Sequence, residues 1–418
     1  MSIVIVGMLD EREEALRIIK DCIEKRGHKA CLIDITVGTG AIVPTLKPDV
    51  SFRELMELGA KRTGVAARDG AATAIMTEGL KEKIAALHRA GELQAIIAIT
   101  GMTGALISLP AMKELPFGIP KLLISGATTM PVHAGQFANY FALRDITVMH
   151  TVVDTVGVNA LVRSLAVNGA NAICGMVEGG GFYLKEGKPS IAITEFGFCD
   201  KGAHYIREAL GTDYEFVSIH ATGVGDKAAI DLVPQGIFKA FIDLVPGAFT
   251  EHLLGGNRGI AGPGRLDLAS KLKIPYIFCP GGFDIISCGP IERKDRNDAL
   301  WTSRKLAERK LYLQDPARVQ ARMNAEETRQ VAIAAADRIN AYQWKGRVKV
   351  VLPLKGFSSL SVEGGPLHEP STDIVFPTIL KRHLDPAIEV IEVDTHINSP
   401  VFARAVADAL MRAFKAAA

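Results

Sequence analysis

Three turns in the first half of the chain gather glycine and hydroxyl side chains where apolar strands end. AIIAIT (95–100) runs into Gly101-Met102-Thr103-Gly104, KLLIS (121–125) into Gly126-Ala127-Thr128-Thr129, and ITVMH (146–150) into Thr151-Val152-Val153-Asp154. Glycine lets a backbone come close to a bound anion, and the amides and hydroxyls around it donate hydrogen bonds. Gly101, Thr103, Gly104, Gly126, Thr128 and Thr151 are therefore candidate phosphate contacts, although each turn by itself is equally compatible with a structural role. His150, Thr151 and Asp154 have three roles open to them: holding a metal, positioning a nucleotide or capping the next helix.

The second half repeats the theme. EFVSIH (215–220) leads into Ala221-Thr222-Gly223-Val224-Gly225-Asp226-Lys227-Ala228. Gly223-x-Gly225-x-x-Ala228 fits a relaxed dinucleotide fingerprint, with Asp243 as its acid about 20 residues on. With 40 glycines in the chain such a match is weak, and the place of Asp243 in FKAFIDLVPG is not clearly a strand end. What remains is an anion-friendly turn of Thr222, Gly223 and Gly225, with Lys227 near the helix start. GIAGPGRLDLA adds Arg265, a guanidinium suited to phosphate or carboxylate. Further strand ends carry Gly281-Gly282-Phe283-Asp284, Lys355-Gly356-Phe357-Ser358-Ser359 and Thr395-His396-Ile397-Asn398. His220, Asp284 and His396 are candidate catalytic or metal-positioning groups, with a hydrogen-bonded structural histidine the plainer reading of each imidazole. The sequence holds no G-x-x-x-x-G-K-[ST], no G-x-S-x-G and no H-E-x-x-H.

These turns need strands to position them. Continuous Val/Ile runs alternate with Ala- and Leu-rich amphipathic segments, the pattern of parallel strands covered by helices on both faces. Strands are expected at Ile3–Val6, 30–35, 95–100, 121–125, 146–150 and 172–177, then at 215–221, 274–282, 347–356 and 387–397. PVFARAVADALMRAFK closes the chain as an amphipathic helix, and Asp10 with Glu13 forms a capping-box pattern for a helix reaching about Arg26. FYLKEGKPSIAIT reads as a hairpin turning at Glu186-Gly187-Lys188, an antiparallel edge. Residues 51–93 and 292–345 read as polar helical insertions, the second charged and open to three roles, a solvated face, an interface or a lid, with the solvated face the plainest. The alternation restarts once, near 200–213. The fold expected is therefore α/β: two Rossmann-like, doubly wound domains with mainly parallel sheets, 1–205 and 206–418, and a cleft between them.

Composition narrows the class. The 48 Lys+Arg and 46 Asp+Glu leave a net charge of +2, so no global field draws nucleic acid or an acidic membrane. A chain that is 48% hydrophobic with 40 glycines is neither disordered nor collagenous nor a coiled coil. MSIVIVGMLDEREEAL lacks a signal-peptide pattern, and no run of about 18 apolar residues is evident, so a cytoplasmic protein without a membrane partner is expected. The six cysteines form no C-x-x-C and read as buried free thiols.

Taken in order, IAITGMTGALIS, LLISGATTMP, VMHTVVDTVGVN, ITEFGFCDKGAHYIREAL, IHATGVGDKA, CPGGFDIISCGP, LPLKGFSSLS with EGGPLHEP, and VDTHINSPVFA resemble one family. It is the Tm-one-like ATP-binding family: bacterial proteins related to the N-terminal ATP-binding half of the plant inhibitor of tomato mosaic virus replication. The resemblance spans essentially the whole chain. It implies two Rossmann-like subdomains, ATP and Mg²⁺ in or near the cleft, a homodimer, and a separate TIM-barrel protein as partner. On that basis an ATP-dependent enzyme without a P-loop is expected, acting on an unidentified small polar or acidic molecule. Asp154 or Asp284 would face Mg²⁺, and Arg265 or Lys227 would supply a cation to the phosphates. A regulatory ATP-binding module without turnover and an NAD(P)-dependent oxidoreductase are the alternatives. Gly104→Val is expected to remove nucleotide affinity and leave the fold largely intact.

Overall fold

The computed structural model describes residues 1–37, 42–64, 71–157, 159–180 and 187–417. The chain forms two compact units, Met1–Tyr183 and Leu184–Ala418. The division falls ahead of the expected 205/206 because DKGAHYIREAL is a helix that follows a strand of the second sheet.

Unit 1 contains β1 (Ser2–Gly7), α1 (Leu9–Lys25), β2 (Lys29–Asp34), α2 (Phe52–Thr63), α3 (Ala72–Arg89), β3 (Ala95–Ile99), α4 (Met102–Lys113), β4 (Lys121–Ile124), α5 (Ala134–Phe141), β5 (Ile146–Met149) and α6 (Ala160–Glu178). Its five strands are all parallel, in the order β2-β1-β3-β4-β5. Alternate strand residues point to opposite faces. Ile3, Ile5, Ile97 and Ile99 pack with α1 and α6, whereas Val4, Val6, Ile96 and Ala98 pack with α3 and α4. The connections leaving β1 and β3 thus depart to opposite faces, which opens a crevice at the carboxyl edge of the sheet.

Two expectations fail in unit 1. AICGMV is not a strand but the end of α6, whose buried residues Val162, Ala166, Ala170, Ile173 and Val177 recur at helical spacing. Small residues let this helix lie close to the sheet, with Ile124 and Ile97 against Gly169. α6 is also the one described helix long and apolar enough to cross a bilayer, and here that apolar face covers strands. Asp10 and Glu13 form no capping box: Glu13 instead accepts from the amides of Thr45 and Leu46, and the carboxylate of Asp34 accepts from the Leu9 amide at 3.2 Å.

Unit 2 contains β6 (Ser190–Glu195), α7 (Asp200–Leu210), β7 (Glu215–His220), α8 (Val224–Leu232), β8 (Ala240–Asp243), α9 (Ala248–Leu254), β9 (Tyr276–Phe278), β10 (Ile285–Ser287), α10 (Ala299–Ser303), β11 (Leu311–Asp315), β12 (Arg318–Arg322), α11 (Ala325–Asn340), β13 (Val348–Pro353), α12 (Pro370–Asp373), α13 (Val375–His383), β14 (Glu389–Val393) and α14 (Pro400–Lys415). Six parallel strands run in the order β14-β13-β9-β8-β6-β7. α7 and α14 cover one face, and α8, α11 and α13 the other. Both units are doubly wound α/β folds of the Rossmann type, as the alternating pattern implies.

The first arm of the expected hairpin, 182–186, lies outside the described residues. Its second arm is β6, which is no antiparallel edge: it pairs in parallel with β7 and β8 on its two sides. The 292–345 insertion is not simply a solvated helical face either. Its β11 and β12 form a small antiparallel sheet with β10, which precedes it, and α11 buries Val331, Ala332, Ala335 and Ile339. The turn between β11 and β12 is set by Asp315, whose carboxylate accepts from the amides of Ala317 and Arg318.

Candidate functional site

At the carboxyl edge of the unit 1 sheet, the turns after β3, β4 and β5 line one cavity of about 520 Å³. Its walls include Thr100, Gly101, Gly126, Thr129, His150, Thr151 and Asp154. The three hydroxyl-rich turns picked out by residue type therefore converge. Gly101 is the N-cap of α4 and offers no side chain to the first turn, so the amides there have no intrahelical acceptor and face the cavity end of the helix. The Thr100 hydroxyl is buried and without a partner among the described residues. Such an atom is costly to leave unpaired and marks a place for a ligand or water.

The remaining predicted contacts divide. Gly126 lines the cavity, and a Cβ there would stand 2.9 Å from the Thr151 hydroxyl, so its absence lets Thr151 come close. Thr151 donates its hydroxyl to the Val153 carbonyl at 2.6 Å and thereby fixes the turn. This holds Val152 at φ 62°, a left-handed conformation that is strained for a β-branched residue. Thr128 is buried under its turn, and Thr129 reaches the cavity in its place. Thr103 is the second residue of α4, partly buried behind the lining.

Gly104 also sits behind the lining, where it makes room for Thr100: a Cβ would lie 2.7 Å from Thr100 Cβ. Gly104→Val therefore does not spare the fold. It is expected to destabilise unit 1 by about 1–3 kcal/mol through overpacking, read as a lowered urea midpoint; an unchanged midpoint would show that the helix end yields freely.

One residue of this region carries no signal in glycine or hydroxyl patterns. Arg12 lies in the first turns of α1 with non-helical angles (φ −130°, ψ 23°), and its side chain is only 3% exposed. Its Nε donates to Thr155 Oγ1 at 2.7 Å and its Nη2 to Asp154 Oδ1 at 3.4 Å, while Nη1 pairs with Glu11. Nη2 stands 2.8 Å from where a Cβ of Gly101 would be. The only sequence clue is an arginine just after the first strand-end turn. Asp154 itself is largely exposed. Next to Arg12 a second cavity of about 370 Å³ includes Asp10, whose carboxyl is raised above its usual value chiefly by burial, against a hydrogen bond from Thr36.

In unit 2 the predicted groups do not assemble. His220 ends β7 and His396 follows β14, the two edge strands of a six-stranded sheet. Five strand spacings of about 4.8 Å separate them, on the order of 24 Å. His220 is exposed, with Nδ1 3.0 Å from the Thr222 hydroxyl. His396 keeps a buried Nδ1 with no partner among the described residues, and burial holds its pKa below the ordinary value. Asp284 is 1% exposed; Ser358 donates to its Oδ2, and Arg322 Nη1 stands 3.9 Å away. A carboxylate already beside a guanidinium and closed from solvent does not fit a Mg²⁺ ligand. Among the described residues no group of three or more His, Cys, Asp or Glu is placed to hold a metal.

Arg265 is likewise not a phosphate cation. It is fully buried, with Nη1 and Nη2 on Asp243 at 2.9 and 2.6 Å and Nε on Asp226 at 2.5 Å. Burial alone would lower its pKa; Asp243 and Asp226 reverse that and hold it above the ordinary value. Asp243 does end a strand, β8, but its oxygens also accept from Thr194 and Tyr276. It has no capacity left for a ribose, and β7 and β8 are separated by β6, so the fingerprint geometry is absent. Gly223 and Gly225 serve packing: a Cβ on Gly225 would fall 1.9 Å from the His220 carbonyl oxygen, and the Gly223 amide donates to Asp226. Lys227 is a partly exposed residue of α8.

Comparison with known proteins gives a match over both units. Residues 1–180 match the N-terminal domain of an uncharacterised protein family, UPF0261, and residues 188–414 its C-terminal domain. A UPF0261 protein of Clostridium tetani is 31% identical over 98% of each chain. The ToMV resistance protein Tm-1(GCR237) of Solanum lycopersicum is 27% identical over 82% of this chain and 44% of its own length. Among solved structures, Acinetobacter baumannii MurG covers 99% of this chain and 94% of its own at 9% identity, with a TM-score of 0.23, too low to carry an inference.

Proposed function

The chain belongs to the UPF0261 family, and from that premise we propose that it binds ATP without a P-loop, phosphates first, in the unit 1 cavity. The observation that carries this reading is the convergence of three strand-end turns on one space of about 520 Å³, within the range of roughly 300–1,000 Å³ usual for small-molecule sites. Open sheets of this kind present ligands there because helix N-termini and unpaired amides gather at the carboxyl ends of strands. The first-turn amides of α4, the Thr100 hydroxyl and the buried Arg12 supply donors and positive charge.

Mg²⁺ belongs to the same proposal. It is commonly held by one or two carboxylates, with phosphate oxygens and water completing its shell. Asp154, exposed at the cavity wall, fits that single-carboxylate role. When bound, the ion would neutralise charge on the phosphates. We assign the protein to a nucleotide-dependent enzyme class acting on a small polar or acidic substrate, in the cytoplasm and as a homodimer. A TIM-barrel partner remains part of this proposal.

Calorimetric titration with ATP and Mg²⁺, followed by assay for ADP, AMP or pyrophosphate, tests the reading. Binding of one ATP per chain with release of one of these products is expected. No binding overturns the proposal, and binding with no release on any substrate tried assigns a regulatory module, in which nucleotide biases conformation without turnover.

A further inference from the structure

The geometry points to Arg12 as the cation that selects the ligand of the unit 1 cavity for its phosphate end, an inference that rests on the reading of that cavity as an anion site. A guanidinium with a side-chain exposure of 3% needs a reason to be buried, and the local structure shows what holds it. α1 is interrupted at Arg12 itself, the residue's angles leaving the helical region for one position. The side chain is thereby laid against Gly101, where any larger residue would strike Nη2. The charge therefore sits directly behind the N-terminus of α4, adding to the partial positive charge of that helix end.

Its present partners do not saturate it evenly. Nε is held by Thr155 and Nη1 by the Glu11 carboxylate, and together they orient the planar group. Nη2 reaches Asp154 only at 3.4 Å, and that carboxylate is 76% exposed, so the contact is weak and competes with water. The hydroxyl of Thr100, 1% exposed and unpartnered among the described residues, adds a second donor that lacks an acceptor. A phosphate oxygen above Gly101 would satisfy both deficits: it accepts from Nη2 and from Thr100, and Asp154 turns to the cation that accompanies the phosphate. The arginine fork suits this because its second nitrogen remains engaged on Thr155 and cannot swing away.

The test compares three probes on wild type, Arg12→Gln and Arg12→Lys: ATP with Mg²⁺, pyrophosphate, and adenosine. Circular dichroism and a urea melt on each variant establish that it is folded. Wild type is expected to bind ATP and pyrophosphate; Arg12→Gln should weaken both by about tenfold or more, leave adenosine unchanged, and reduce the salt dependence of binding. Arg12→Lys should recover only part of the loss. Equal weakening of adenosine and ATP, or unchanged binding of both phosphate probes, overturns the inference and leaves Arg12 a structural residue. The two readings fail differently. Pyrophosphate bound in an Arg12-dependent way with no ATP binding removes the nucleotide and keeps the anion site, whereas ATP binding insensitive to Arg12 keeps the nucleotide and removes this role.

Discussion

Arg265→Ala should cost unit 2 about 3–5 kcal/mol of stability, the range for removing one partner of a buried ion pair. Asp226, Asp243 and Arg265 are all fully buried, so deletion of the guanidinium leaves two carboxylates facing each other without water. The same deletion releases the tie between the start of α8 and the end of β8, since Asp226 holds the Gly223 amide and Asp243 holds Thr194 and Tyr276. Urea denaturation followed by tryptophan fluorescence reads the loss, because both tryptophans, Trp301 and Trp344, belong to unit 2. Arg265→Lys should recover little of it, as an ammonium cannot span two carboxylates with the fork that Arg265 uses. A loss below about 1 kcal/mol, the scale of an exposed pair, would show that the network is solvated.

The second large effect is on pH dependence, and it centres on Asp373. Its carboxyl is pushed up to about 6, mainly by burial, with Asp284 adding to the rise and Arg322 opposing it. Folded protein thus keeps this proton up to about pH 6, while the unfolded chain releases it near the ordinary value of about 3.8. Between those values the folded state binds more protons, so stability falls as pH rises through the window and levels off above it. At about 1.4 kcal/mol per unit the loss is roughly 3 kcal/mol. Asp373→Asn should remove that slope. Denaturant midpoints of wild type and variant, measured from pH 4 to pH 7, should therefore draw apart in slope, and parallel curves would refute the assignment of the step to Asp373. The groups facing this carboxyl are Arg322, Asp284 and His368, and Arg322 Nε has no partner among the described residues.

Sequence alone determined the fold class, because it is written in a period. A strand buried on both faces is apolar through its centre, as Ile3–Val6 of β1 and Ala95–Ile99 of β3 show. Sequence equally marked the turns at 101, 126 and 151, since glycine and threonine beside such runs have few other reasons to recur. It misread AICGMV, where small residues on a buried helix imitate a strand, and 311–322, where charged residues hid a hairpin. The same short-range reading could not rank glycines: Gly101 opens a helix end to a cavity, Gly104 makes room for Thr100, and Gly225 makes room for the His220 carbonyl.

Only the tertiary structure decided which charges are spent. Arg265, the more persuasive arginine by motif, is consumed by Asp226 and Asp243, whereas Arg12, in no motif, is bent out of its helix against Gly101 in the cavity wall. Likewise His220 and His396 look like partners in a list of strand ends but follow opposite edges of one sheet. Strand order is set by long-range pairing and crossover handedness, neither of which is encoded in the spacing of residues along the chain. Residue type therefore fixed what chemistry each strand end could offer, and packing fixed which of those ends meet.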